Sequence, residues 1–214
     1  LTVDGFGVMN FNFGDAWNGT LNLISSSATL NYVDLKTNDI LNALMGSINI
    51  ISSSRNGVKT KLSLISNSMI ENDVVINLEE NAELSVVGGT LNFNDNDKWL
   101  GLITLTTGTD SSGDVVSGIL NYTGSANTGV LKADAGNLNV LSSTLSLIAG
   151  SSISSDVKVN IADGATVDLT GGKLVLDNND AWNGIVSGTS GTLVFNGDTN
   201  KFFSINYEKL MLDK

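Results

Sequence analysis

All three tryptophans of this chain sit in one short motif, Asp-x-Trp-x-Gly, which returns at steps of 82 and 83 residues. The copies are Asp15-Ala16-Trp17-Asn18-Gly19, Asp97-Lys98-Trp99-Leu100-Gly101 and Asp180-Ala181-Trp182-Asn183-Gly184. The likeness extends upstream. Gly88-Gly89-Thr90-Leu91-Asn92-Phe93-Asn94 leads into the second copy as Gly171-Gly172-Lys173-Leu174-Val175-Leu176-Asp177 leads into the third, and Gly7-Val8-Met9-Asn10-Phe11-Asn12-Phe13 opens the first. A fixed long period is the signature of a stacked repeat, in which each unit covers the open apolar side of its neighbour.

Between the motifs the second and third copies stay in step. Leu62-Ser63-Leu64-Ile65 matches Leu145-Ser146-Leu147-Ile148, and Asp73-Val74-Val75-Ile76-Asn77-Leu78 matches Asp156-Val157-Lys158-Val159-Asn160-Ile161. Further upstream, Gly46-Ser47-Ile48-Asn49-Ile50 matches Gly136-Asn137-Leu138-Asn139-Val140 at an offset of 90, so residues 54–61 and 106–118 carry compensating length changes. A stack accepts such changes in its loops.

Within each unit, runs such as Val157-Lys158-Val159 and Thr166-Val167-Asp168-Leu169 alternate apolar and polar, as a strand with one buried side does. Gly, Asn, Asp and Ser separate the runs and supply turn conformations. Helix-like spacing occurs over 35–45 (Leu35, Ile40, Leu41, Leu44, Met45) and over 207–212.

A shorter step lies inside the long one. Leu120-Asn121-Tyr122 recurs as Leu138-Asn139-Val140 after 18 residues, and Leu174-Val175-Leu176 as Leu193-Val194-Phe195 after 19. That length suits one turn of a parallel β-helix. The expected fold is all-β, a right-handed parallel β-helix (β-solenoid) of about ten coils with strands about 4.7–4.9 Å apart along the axis. Residues 1–199 form one continuous solenoid with copies near 5–87, 88–170 and, in part, 171–199. Residues 200–214, richer in aromatics and lysine, are a C-terminal cap or the start of a further segment. Four coils per copy would put the tryptophans on one face, about 19 Å apart.

Composition narrows the chemistry. Eleven Lys plus Arg against 22 Asp plus Glu give a net charge of −11. Nucleic acid and anionic membrane surfaces both need clustered basic residues, so neither is an expected partner. Without cysteine there is no disulfide or thiolate metal site, and without histidine the commonest general base is missing. Proline is also absent, as a sheet of many central strands requires. No apolar run reaches the roughly 18 residues of a membrane-spanning helix. Leu1 opens partway through a repeat, so the chain is expected to be cut from something longer or to be a processed segment.

The candidate ligand contacts are the motif residues: Trp17, Trp99 and Trp182 as an aromatic ledge for sugar rings, with Asp15, Asp97 and Asp180 as hydrogen-bond partners. The competing account packs each Trp inside a coil, uses the Asp to bond a turn and the Gly to close it. It is the stronger of the two, because tryptophans four coils apart make no continuous platform. Asn94-Asp95-Asn96-Asp97 and Asp177-Asn178-Asn179-Asp180 offer oxygens of the kind Ca²⁺ takes. The EF-hand spacing and the Gly-Gly-x-Gly-x-Asp calcium repeat are both missing, so no cofactor is expected. Glu79, Glu80, Glu83, Asp163 and Asp168 are the carboxylates a glycosidase or lyase would need in pairs. They read better as solvated surface groups. The serine runs have no His or Cys partner for nucleophilic catalysis.

Gly171-Gly172-Lys173-Leu174-Val175-Leu176 and Ser190-Gly191-Thr192-Leu193-Val194-Phe195-Asn196-Gly197 are similar to the Gly-x-Leu-x-Leu coils of β-solenoid passenger regions. Through them, almost the whole chain resembles bacterial surface adhesins of the autotransporter and haemagglutinin-like kind. The resemblance implies a non-enzymatic, extracellular structural or adhesive segment of an outer-membrane-associated parent, with no membrane insertion of its own. Its partner would be a glycan or protein on a host or neighbouring cell. Two alternatives are a polysaccharide-cleaving β-helix enzyme and a self-assembling scaffold whose coils stack end to end.

Overall fold

The computed structural model describes residues 1–3, 6–11, 20–33, 36–37, 40–51, 60–124, 128–197, 205–207 and 211–213, with the backbone alone at 24–28, 33, 36–37, 205–207 and 211–213. The chain is all-β, a solenoid of about eight turns built from parallel stacked coils.

Strand register divides the stack into three faces. One turn shows the path: residues 69–70 lie on the first face, 73–78 on the second and 83–87 on the third, and 90–91 return to pair with 69–70. Upward from there the first face carries 119–122, 136–140, 157–161 and 181–182. Below it carries 42–43, 22–23 and 2–3. The third face runs from 61–65 through 83–87, 102–106, 130–133, 152–153 and 173–176 to 192–195.

Alternation decides which side chains fill the interior. Successive residues of a strand point to opposite sides, so in-register parallel coils stack every second residue into a continuous inner column. Leu23, Ala43, Ile70, Leu91, Leu120, Leu138 and Val159 form one such column on the first face, each fully buried. On the third face, Leu64, Val86, Leu105, Ala133, Ile153, Leu174 and Leu193 form another. The corners need tight reversals, and Asn81 takes a positive φ of 64° at the one after Leu78. Asn is the residue other than glycine that tolerates this region best.

Three sequence expectations need correction. The coils number about eight rather than ten. Most register steps on the first face are 18 to 21 residues, but Asn42 to Met69 takes 27 and Thr90 to Ile119 takes 29. The helical spacing over 35–45 is a strand where described, Ile40–Ile51. It turns a corner at Leu44 and Met45, both exposed, and the break in alternation imitates a helical period. Over 207–212 the described backbone is also strand, Ile205–Tyr207 and Met211–Asp213, which continues the ladders of the second and third faces.

The third correction concerns the repeat itself. Residues 8–11 lie on the second face, 90–93 on the first and 173–176 on the third. Each copy therefore spans three and two-thirds turns, not four. Successive copies begin one face earlier, and Trp99 and Trp182 do not share a face.

Candidate functional site

The Asp of the motif joins neighbouring coils. Asp97 accepts hydrogen bonds from the Asn94 N–H at 2.7 Å, closing its own turn, and from the Ile76 N–H at 2.7 Å, one coil below. Asp180 repeats the arrangement with the N–H groups of Asp177 and Val159, both at 2.7 Å. A turn that bonds its own backbone through Asp is common; here the second oxygen extends the bond to the coil beneath.

Burial pushes the Asp97 carboxyl up to about 6, while the two backbone N–H groups pull the other way. Its unfolded value is 3.8, so the native state holds this proton more tightly between roughly pH 4 and 6. The stability from this group is complete below 3.8 and is lost as pH rises through 6. A shift of about two units is worth at most about 3 kcal/mol. Comparing wild type with Asp97→Asn by urea unfolding at pH 4, 5, 6 and 7 should show the wild type losing ground as pH rises. A constant difference would mean the carboxylate stays charged throughout.

The tryptophan ends an inner column. Phe11, Tyr32, Ile50, Leu78 and Trp99 stack in register on the second face. Phe93, Tyr122, Val140, Ile161 and Trp182 repeat that order on the first. Each column starts with stacked rings, Phe11 on Tyr32 at 5.3 Å and Phe93 on Tyr122 at 5.8 Å. Burial drives the phenols of Tyr32 and Tyr122 far above their ordinary range, so both stay neutral.

Trp99 is buried, and its Nε1 donates to the Gly101 carbonyl at 3.0 Å. Its ring meets Phe93 and Tyr122 edge-on, at 5.5 and 6.2 Å, so the end of one column packs against the start of the next. Trp182, half-buried, meets Phe195 in the same way at 5.5 Å. The closing glycine is required by backbone approach. A Cβ on Gly101 would stand 2.4 Å from the Ala82 carbonyl oxygen, and one on Gly184 would stand 2.3 Å from that of Ala165. Trp17 and Asp15 lie outside the described residues.

Beside each aromatic column, on the solvent side, runs a column of asparagines. Asn10, Asn31, Asn49 and Asn77 are in register on the second face, and Asn92, Asn121, Asn139 and Asn160 on the first. Asn31 donates to Asn10 at 2.6 Å, Asn49 to Asn31 at 2.7 Å, Asn121 to Asn92 at 2.7 Å and Asn139 to Asn121 at 2.8 Å. Sequence reasoning missed these ladders. Their signal is a recurring apolar-Asn-apolar triplet, as in Leu30-Asn31-Tyr32 and Leu120-Asn121-Tyr122.

The carboxylates are dispersed. Glu80 is exposed at the corner between second and third faces, and Asp163 is exposed between first and second. Glu83 is ion-paired with Lys61 at 2.7 Å, and Asp168 accepts the Ser187 hydroxyl at 3.0 Å. Among the described residues, no three His, Cys, Asp or Glu side chains gather where they could hold a metal ion. A groove of about 410 Å³ lies by Glu80, Glu83, Leu100 and Val130. No protein family, curated protein or solved structure matches this chain.

Proposed function

We propose that this chain is a non-enzymatic structural or adhesive segment of a bacterial surface protein, extracellular and carried by an outer-membrane-associated parent. It serves as a rigid stalk whose side faces are available to a glycan or protein of a host or neighbouring cell. The observation that carries the proposal is the use made of the repeated motif. Its described carboxylates, Asp97 and Asp180, bind backbone N–H groups of the coil below, and its buried Trp99 packs one column against the next. What the sequence repeats is thus a device for holding coils together. The solvent side of the same strands carries Asn, Ser and Thr, a polar and nearly neutral surface suited to a stalk in water.

The test is an array of glycans and extracellular-matrix proteins probed with the whole chain, with and without Ca²⁺, beside an assay for new reducing ends or unsaturated products from polysaccharides. Specific binding without cleavage makes the segment adhesive, and no binding leaves it a spacer. Turnover of any polysaccharide would overturn the proposal in favour of a β-helix hydrolase or lyase.

A further inference from the structure

One described insertion leaves the stack with a free strand edge. Leu102–Thr109 runs on past the third face, and Val115–Ser117 returns beside it as an antiparallel hairpin with Gly108 opposite Val116. The bonds on either side fix the phase: the Asp110 N–H donates to the Asp114 carbonyl at 3.0 Å, and the Gly118 N–H to the Thr106 carbonyl at 3.1 Å. Residues 114, 116 and 118 therefore bond inward. In an antiparallel ladder the alternate residues face the other way, so the N–H and C=O groups of Val115 and Ser117 point outward.

The hairpin is anchored. The Ser66 hydroxyl donates to the Thr109 carbonyl at 3.0 Å, and Gly108 lies so near the Val87 carbonyl that a Cβ there would stand 2.4 Å from its oxygen. The loop is closed by Asp110, whose Oδ1 accepts from the N–H groups of Ser112 at 2.8 Å and Asp114 at 3.0 Å. Val115 is 74% exposed, and Asp114 and Ser117 are exposed as well. A free edge on a fixed ribbon is a template for another strand unless lysine, proline or a bulge blunts it, and Val115–Ser117 has none of these.

We infer that this edge binds an extended segment of a partner protein by antiparallel strand addition, with β-branched residues along Val115 to Ser117 and a lysine or arginine opposite Asp114. The backbone supplies two outward donors and two outward acceptors, which an extended peptide matches and a folded surface does not. Charge selects among such peptides. The tip carries Asp110 and Asp114 on a body of net charge −11, so a basic segment is drawn in and a second copy of this chain is repelled. The inference is independent of whether the side faces bind glycans.

The probe is a capped, fluorescent peptide of alternating threonine and valine ending in two lysines, titrated into the whole chain by anisotropy and by amide NMR. Saturable binding is expected, with the largest shifts at the Val115 and Ser117 amides. Val115→Pro removes an outward donor and no hairpin bond, and should weaken binding by about tenfold. The same peptide N-methylated on the edge-facing amides should lose binding to the unaltered protein, which decides the matter even where the variant folds poorly. Replacing its lysines by glutamates should also abolish binding. Failure to saturate, or binding indifferent to N-methylation, would overturn strand addition. Self-association abolished by Val115→Pro would overturn the basic segment as occupant.

Discussion

Replacing Trp99 by alanine is expected to destabilise the chain by about 3–5 kcal/mol, in the range of large aromatic deletions from a packed interior. Trp182→Ala should cost distinctly less. Trp99 is buried, closes its column above Leu78, meets both Phe93 and Tyr122, and donates its indole N–H to Gly101. Gly129 presses on the same ring so closely that a Cβ there would stand 2.2 Å from it, which leaves no room for neighbours to close in. Trp182 retains exposure and has Phe195 as its aromatic neighbour. Urea unfolding of the two variants beside wild type checks the order. Equal and small losses would show that neither ring holds the stack and would return both to the list of ligand contacts.

Val159→Asp should abolish the cooperative transition, while Lys158→Asp one residue away should leave it nearly unchanged. Val159 is fully buried in the inner column above Leu138, and Lys158 is exposed on the same strand. A carboxylate at 159 would be enclosed by aliphatic side chains with no partner, a loss of at least about 4–5 kcal/mol. The variant therefore unfolds or buries a neutral acid at the expense of much of the stability. Far-UV circular dichroism during thermal melting reads both variants. If the pair behaved alike, the strand would have the opposite facing, since a one-residue slip exchanges the two sides.

The class of fold is legible from Val157-Lys158-Val159 and its relatives, because alternation and an 18- to 21-residue step leave few architectures other than stacked parallel coils. The number of turns is not, since long steps such as Thr90 to Ile119 hide a hairpin that adds residues without adding a coil. Leu44 and Met45 mislead for a related reason: at a corner two successive side chains face outward, and the spacing then resembles a helix. The Asp and Gly of the motif are readable as turn residues, but the reach of Asp97 to Ile76 depends on which coil lies beneath. The asparagine ladders and the Phe-Tyr-aliphatic-aliphatic-Trp columns depend on the same vertical register. The chain spells their members some twenty residues apart, so they can be written down only once the turn lengths are known.

The shift of one face per copy bears on torsion. Trp99 belongs to the second face and its aromatic neighbours Phe93 and Tyr122 to the first; Trp182 belongs to the first and its neighbour Phe195 to the third. Each junction between copies therefore clamps a different pair of adjacent faces, and another copy in the same sequence would clamp the remaining pair. Had the repeat been a whole number of turns, every clamp would fall on one edge of the prism, and the other two edges could shear along the axis when the rod is wound. Distributed around the axis, the clamps oppose that sliding edge by edge, and a rod built this way transmits torque as well as tension.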